Sequence, residues 1–255
     1  DEPALERFTN GNAALDGFPV SGFWSIPFIG LSPKNGAPLF AVMDQVGGEM
    51  QKVSGSLLDY LVYSGDSEPR VSGGISTTVR YKRFTLNAMF NYQLGHYKRL
   101  NPFITSSTNG MLSIPGADVN ASTELLNRWQ QPGDETRTRI PALSTRDEDV
   151  SQYLPDNSLS LGNYNTVYRY SLYNRSTERV VSASHLRCNR ISLNYQTKIP
   201  RIAEINLGIT VTNPFIIKNH RLGDQDPEVM SMNADSYTPT MKRQQNYSIS
   251  AEFIF

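Results

Sequence analysis

Amides and hydroxyls recur at alternate positions in several stretches of the chain. Asn87, Asn91 and Gln93 do so in one segment, Asn194 and Gln196 in a second, and Glu204, Asn206 and Thr210 in a third. Each amide offers both donors and acceptors, so rows of them suit reversible hydrogen bonding to hydroxyl-rich or peptide-like solutes. The residue types for other chemistry are poorly arranged. His96, His185 and His220 share no metal-ligand spacing. No Gly-x-Ser-x-Gly elbow and no phosphate-cradling glycine loop occurs. The acidic runs Asp147, Glu148, Asp149 and Asp224, Asp226, Glu228 lie in polar stretches, where a solvated face is the plain expectation and oxygen ligation of Ca²⁺ a weaker one. A single cysteine, Cys188, excludes a disulfide framework and reads as an ordinary small side chain near a strand end. We therefore expect no enzyme, no cofactor and no metal.

The elements that carry these amides are strands. Phe84, Leu86, Ala88, Phe90, Tyr92 and Leu94 alternate with Thr85, Asn87, Met89, Asn91 and Gln93, the period of a two-faced strand. Ile191 to Gln196, Glu204 to Thr212 and Asn246 to Phe255 alternate in the same way, Ile254 excepted, and Arg70 to Tyr81 does so more weakly. The strands are read as Leu186 to Gln196, Ala203 to Thr212 and Gln244 to Phe255. Gly17 to Phe28 carries Phe18, Val20, Trp24, Ile26 and Phe28 on one face, although Phe23 breaks the other. The sequence thus predicts about six antiparallel strands. Their polar faces are mostly Asn, Gln, Ser, Thr and Gly.

Composition narrows the setting. The 255 residues carry 24 Lys+Arg and 24 Asp+Glu, a formal charge of zero, so no electrostatic footprint for nucleic acid exists. No apolar run is long enough for a transmembrane helix. A transmembrane barrel stays open, because its strands hide their apolar half in alternation. On alternation alone a soluble β-sandwich with one wet face is the commoner solution.

Connections shift that balance. Arg80-Tyr81-Lys82-Arg83 and Lys198-Ile199-Pro200-Arg201 read as tight turns, while the stretches 29–69, 96–185 and 213–243 are long. Chain parity puts both turns on one side and all long stretches on the other, as in outer-membrane barrels. Compact soluble domains rarely hold structureless loops beyond about 15 residues. Within the longest stretch, Ser122 is expected to cap a short helix over Thr123 to Gln130, ended by Pro132 and Gly133. Trp129, Tyr164, Tyr168 and Tyr170 are loop aromatics that can stack on sugar rings, anchor a partner, or pack within the loop.

Six segments, in order, resemble the C-terminal part of the barrel of SusC/RagA-type TonB-dependent outer-membrane transporters. "GFPVSGFWSIPFIGLSPKNGAPLF" is similar to the family's strand and Gly-Leu-Asp-Pro turn, with Ser32 where Asp is usual. "SEPRVSGGISTTVRYKRFTLNAMFNYQLGH" resembles its Gly-Gly hairpin, and "NRWQQPGDETRTRIPAL" its Arg-Trp-x-x-Pro-Gly-Asp loop. "RVVSASHLRCNRISLNY", "VTNPFIIKNHRLGDQDPEV" and the closing "YSISAEFIF" complete the series.

This resemblance implies an all-β, antiparallel transmembrane β-barrel segment: about six spanning strands of a larger plugged barrel, with long extracellular loops. A barrel of about 22 strands at about 10 residues each needs roughly 220 residues before any loop or plug. We therefore expect residues 1–255 to be the C-terminal part of such a transporter, its plug and N-terminal strands lying elsewhere. The absence of an initiator Met and of a signal segment fits a processed chain or a piece of a longer one. The implied function is TonB-dependent uptake of glycans or peptides across a Gram-negative outer membrane. The implied partners are the remaining barrel and plug, a SusD-like surface lipoprotein, the TonB complex acting on the plug, and outer-membrane lipid. The amides named above, with Glu204 and Thr210, become candidate lumen groups, and Phe255 resembles the family's barrel-assembly signal. A soluble carbohydrate-binding β-sandwich is the alternative, decided by whether Leu86, Phe90, Leu207 and Ile209 are covered by a second layer of protein.

Overall fold

The structure is a computed structural model. It describes residues 4–41, 61–102, 122–143, 170–200, 204–229 and 243–254, with backbone strand positions at 45–46, 49–50, 105–106, 112–113, 151–153, 166–168 and 203 and a helical position at 169. The chain divides into two compact units.

One unit gathers residues 68–96, 182–229 and 240–255. Its core element is a five-stranded sheet, in which β1 is Val71–Tyr81, β2 Phe84–Leu94, β3 His185–Ile199, β4 Ala203–Lys218 and β5 Asn246–Ile254. The spatial order is β1-β2-β3-β4-β5, and every neighbouring pair is antiparallel. The register places both short connections at one edge. Tyr81 pairs with Phe84 across the first, where Lys82 takes a left-handed φ of 53°. Ile199 pairs with Ala203 across the second. The long connections, 95–184 and 219–245, leave from the opposite edge, as chain parity predicts.

The alternation survives in the register. One rung reads Val79, Leu86, Leu193, Ile209, Ile249, and the rung beside it reads Thr78, Asn87, Ser192, Thr210, Ser248. Among the described residues of this unit, no second layer covers the apolar face. Leu86 is 40% exposed, Leu207 45% and Ile209 53%, with Phe90 half-buried. A sandwich buries this face, because an uncovered patch of this extent is unusual for a soluble monomer. From Phe84 to Leu94, ten rises of about 3.4 Å give ~34 Å along the strand, or ~26 Å of height at a tilt of about 40°. That matches the apolar band of an outer-membrane wall, about 25 Å tall.

This sheet has five strands among the described residues, not the six expected. Gly17 to Phe28 belongs to the other unit, which gathers residues 1–67, 97–181 and 230–239. There Gly22–Ser25 pairs with Val62–Asp66 and is buried along its whole length. Phe23, the residue that breaks the alternation, is the reason: with Trp24 beside it, both faces of this strand are apolar and both are covered. Phe28–Leu31 then turns back against Pro38–Phe40. In that turn Ser32 Oγ accepts from the Lys34 amide at 3.3 Å while its carbonyl accepts from the Gly36 amide.

This second unit has its own apolar core, drawn from Leu5, Ile26, Phe28, Phe40, Leu125, Trp129, Leu172 and Tyr173 among others. Burial there pushes the Tyr173 hydroxyl up to about 12. At its centre the buried Arg99 guanidinium donates to the carbonyls of Thr9, Trp24, Asn174 and Ser176 and to Ser25 Oγ, at 3.1–3.4 Å. One cation thereby satisfies carbonyls from three separate stretches of chain, which a buried backbone requires. The short helix is a 3₁₀ turn over Thr123–Asn127, with Ser122 Oγ accepting from the Glu124 amide as expected. It stops before Gln130 because the Trp129 amide donates to the Ile140 carbonyl instead.

Candidate functional site

The polar face of the five-stranded sheet is the candidate site. The register brings all eight expected residues onto it. Asn87 and Thr210 share a rung with Thr78, Ser192 and Ser248. Thr78 Oγ1 donates to Asn87 Oδ1 at 2.8 Å, and Asn87 Nδ2 reaches Ser192 Oγ at 3.5 Å. Asn194 lies between Thr85 and Gly208, and Gln196 lies opposite Asn206. Asn206 Nδ2 donates to Glu252 at 3.0 Å, and Glu204 pairs with Lys198 at 3.1 Å. A Cβ at position 208 would meet Ser250 Oγ at 2.5 Å and Asn194 Oδ1 at 2.9 Å, so glycine there lets side chains from both neighbouring strands converge. Asn91 and Gln93 sit higher, opposite Arg187 and His185. The face is thus a ladder of laterally bonded amides and hydroxyls.

Near the edge that bears the long connections, charge replaces amides. Arg187 donates to Asp226 at 2.6 Å and to Glu228 at 2.8 Å. His185 Nε2 lies 3.2 Å from Glu228, and its Nδ1 2.9 Å from the Ala183 carbonyl. Arg243, at the approach to β5, completes the group with Glu228 at 2.5 Å and Asp226 at 3.5 Å. The expectation of a solvated acidic face is corrected here: Asp226 is 5% exposed and ion-paired. Both carboxylates spend their lone pairs on arginines, which leaves no open oxygen cage for Ca²⁺. Asp147, Glu148 and Asp149 lie outside the described residues.

The loop aromatics fall differently from a stacking platform. Trp129 is 8% exposed and Tyr170 1%. Both are core residues of the second unit, Trp129 donating to Glu135 at 3.1 Å and Tyr170 to the Ala142 carbonyl, so neither presents a ring face. The physical reason is that this stretch has a core to fill. Tyr164, Phe255 and the side chain of Tyr168 lie outside the described residues.

Sequence reasoning missed Arg190. Between the Cys188 and Arg190 pairings the register slips, leaving Asn189 as an extra residue, and Asn213 on β4 takes a left-handed φ of 52° at the same level. Asn189 Nδ2 donates to Asn91 Oδ1, on the polar face. Arg190, next to the slip, lies on that face too, opposite Met89 and Thr212. The slip keeps Arg187 on the same face, although an even count from Leu193 would set it on the apolar side.

Among the described residues this sheet is antiparallel, with apolar side chains exposed on one side and amides and hydroxyls on the other. Three solved structures share its fold. A structure of the RagAB peptide importer in the "open-open" state is 18% identical, with a TM-score of 0.54 over 95% of this chain and 24% of that one. The "closed-closed" state gives 18% identity and a TM-score of 0.53 over 91% and 22%. A structure of the RagAB peptide transporter gives 17% and 0.52 over 91% and 22%. The chain therefore spans about a quarter of the length of the chains it matches. No family model and no curated protein matches it. The resemblance in fold that the six segments imply is present.

Proposed function

We propose that residues 1–255 form part of the barrel wall of a TonB-dependent outer-membrane importer, and that its cargo is peptide. The observation that carries this reading is the sheet with two different uncovered faces, Leu86, Leu207 and Ile209 on one and the Thr78–Ser248 rung on the other. Hydrocarbon tolerates the first face, and an aqueous passage uses the second. Among the described residues β1 and β5 are both edges. Unpaired edges are not sustained in lipid, so the reading requires further strands and a plug outside this stretch. The likeness in fold to structures described as a peptide importer favours peptide over glycan. A SusD-like lipoprotein above the wall and the TonB complex below it belong to the same proposal.

The test is uptake by the complete importer in a Gram-negative outer membrane. Fluorescent oligopeptides are expected to accumulate, and to stop when the proton-motive force is collapsed. Uptake of oligosaccharides in place of peptides would move the cargo to glycans. An isolated chain that stays folded and monomeric in buffer without detergent would overturn the wall itself.

A further inference from the structure

We propose that Arg190 is a docking point on the wall for the carboxylate of the imported solute. The inference rests on the importer reading and deepens it, because it names a chemical class of cargo: peptides with a free C-terminus or acidic side chains.

The charges on the polar face are nearly all matched. Arg187 is held by Asp226 and Glu228, Lys198 by Glu204, and the Lys218 ammonium donates to the Gln225 carbonyl. Glu252 accepts from Asn206. Arg80 lies beside the β1–β2 turn, at the sheet's far edge. Arg190 stands between these zones, in a rung with Ser76, Met89, Thr212 and Asn246. It is exposed, and among the described residues its contact is the Met89 thioether at 3.3 Å, a weak acceptor, with no carboxylate within reach. A guanidinium so placed keeps its forked donors available for a bidentate carboxylate.

Alternation counted back from Ser192 and Ile191 sets this residue on the polar face, and the slip at Asn189 follows directly beside it. The ladder is interrupted on β4 at the same level, where Asn213 Nδ2 donates to the Gln244 carbonyl and Gln245 Nε2 to the Pro214 carbonyl. Bulges cost ladder bonds and re-aim side chains. Arg190, beside this bulge, is one unmatched cation on an otherwise neutral stretch of the face. Below it the Thr78–Ser248 rung offers hydroxyls and an amide to the peptide groups behind a docked carboxylate.

The experiment uses the complete importer and one peptide sequence in two forms, C-terminal acid and C-terminal amide, without acidic side chains. Binding is read by fluorescence polarisation on the purified importer, and transport as KM in whole cells. Arg190→Gln is expected to weaken acid-form binding by about tenfold, the scale of one charge-assisted pair, and to leave the amide form unchanged. Arg190→Lys should retain most of the preference, and outer-membrane abundance of each variant controls for folding. Equal loss for both forms would place the partner carboxylate in the importer itself and overturn the proposal, as would no change for either. Wild type that binds the acid form preferentially but imports no peptide would sink the importer reading while leaving the carboxylate site standing.

Discussion

Arg187 and Asp226 form a nearly buried ion pair, 2.6 Å long, that joins strand β3 to the connection leaving β4. Breaking such a pair from one side leaves an uncompensated charge. Asp226→Ala is therefore expected to destabilise this end of the sheet by roughly 3–5 kcal/mol, and Arg243→Gln, about half exposed, by under ~1 kcal/mol. Thermal unfolding of the two variants, with limited proteolysis across 219–229, reads the difference. Equal effects would show that the network shares its load evenly.

Gly36 takes a φ of +68°, and a Cβ there would run into the Trp129 ring and come within 2.8 Å of the Ala142 Cβ. Gly36→Ala combines left-handed strain with overpacking, for an expected loss of about 3 kcal/mol. The chain has two tryptophans. In a Trp24→Phe background, Trp129 emission shifts to the red if the prediction holds and stays fixed if the turn absorbs the methyl group.

Glu135 is held below the usual glutamate range by its own backbone amide, and next by the Trp129 indole N–H. A depressed carboxylate stabilises the fold above the ordinary glutamate range, and that contribution fades as pH falls through the folded-state value. Acid titration of Trp129 emission in the Trp24→Phe background should show a transition below the ordinary range. Glu135→Gln should abolish it, and a transition that persists in this variant would assign it to another group.

Ile209 and Thr210 are adjacent and face opposite sides of β4. On the wall reading, Ile209→Lys sets a charge in lipid and costs about 2–4 kcal/mol, whereas Thr210→Lys enters the aqueous side. Outer-membrane abundance of the complete importer should fall for the first and hold for the second. The reverse order would exchange the two faces.

Much of this fold is legible in the residues. The alternation from Phe84 to Leu94 and from Glu204 to Thr212 names strands and faces, because a period of two is a local property. The fate of Gly17 to Phe28 is less legible. Five apolar residues on one face suggest a wall strand, and only Phe23 on the other face hints that both sides are covered. The ion network is illegible for a different reason: Arg187 finds Asp226 across 39 positions, and nothing near either residue announces the other. Trp129 and Tyr170 show the same limit, since an aromatic in a long connection reads alike whether it points out or into a core. Arg190 lies one position before the alternation that begins at Ile191, next to an uncounted residue, Asn189, that sets Arg187 and Leu193 on opposite faces.

That uncounted residue has a consequence for how such a chain can change over generations. Between strands, tens of residues can come and go with little effect on the ladder. Inside β3, a single residue gained or lost outside the bulge turns every side chain beyond it to the other face: Arg187 and Leu193, six positions apart, face opposite ways only because Asn189 is set out of the ladder. Length is cheap at one edge of this sheet and close to forbidden a few ångströms below it.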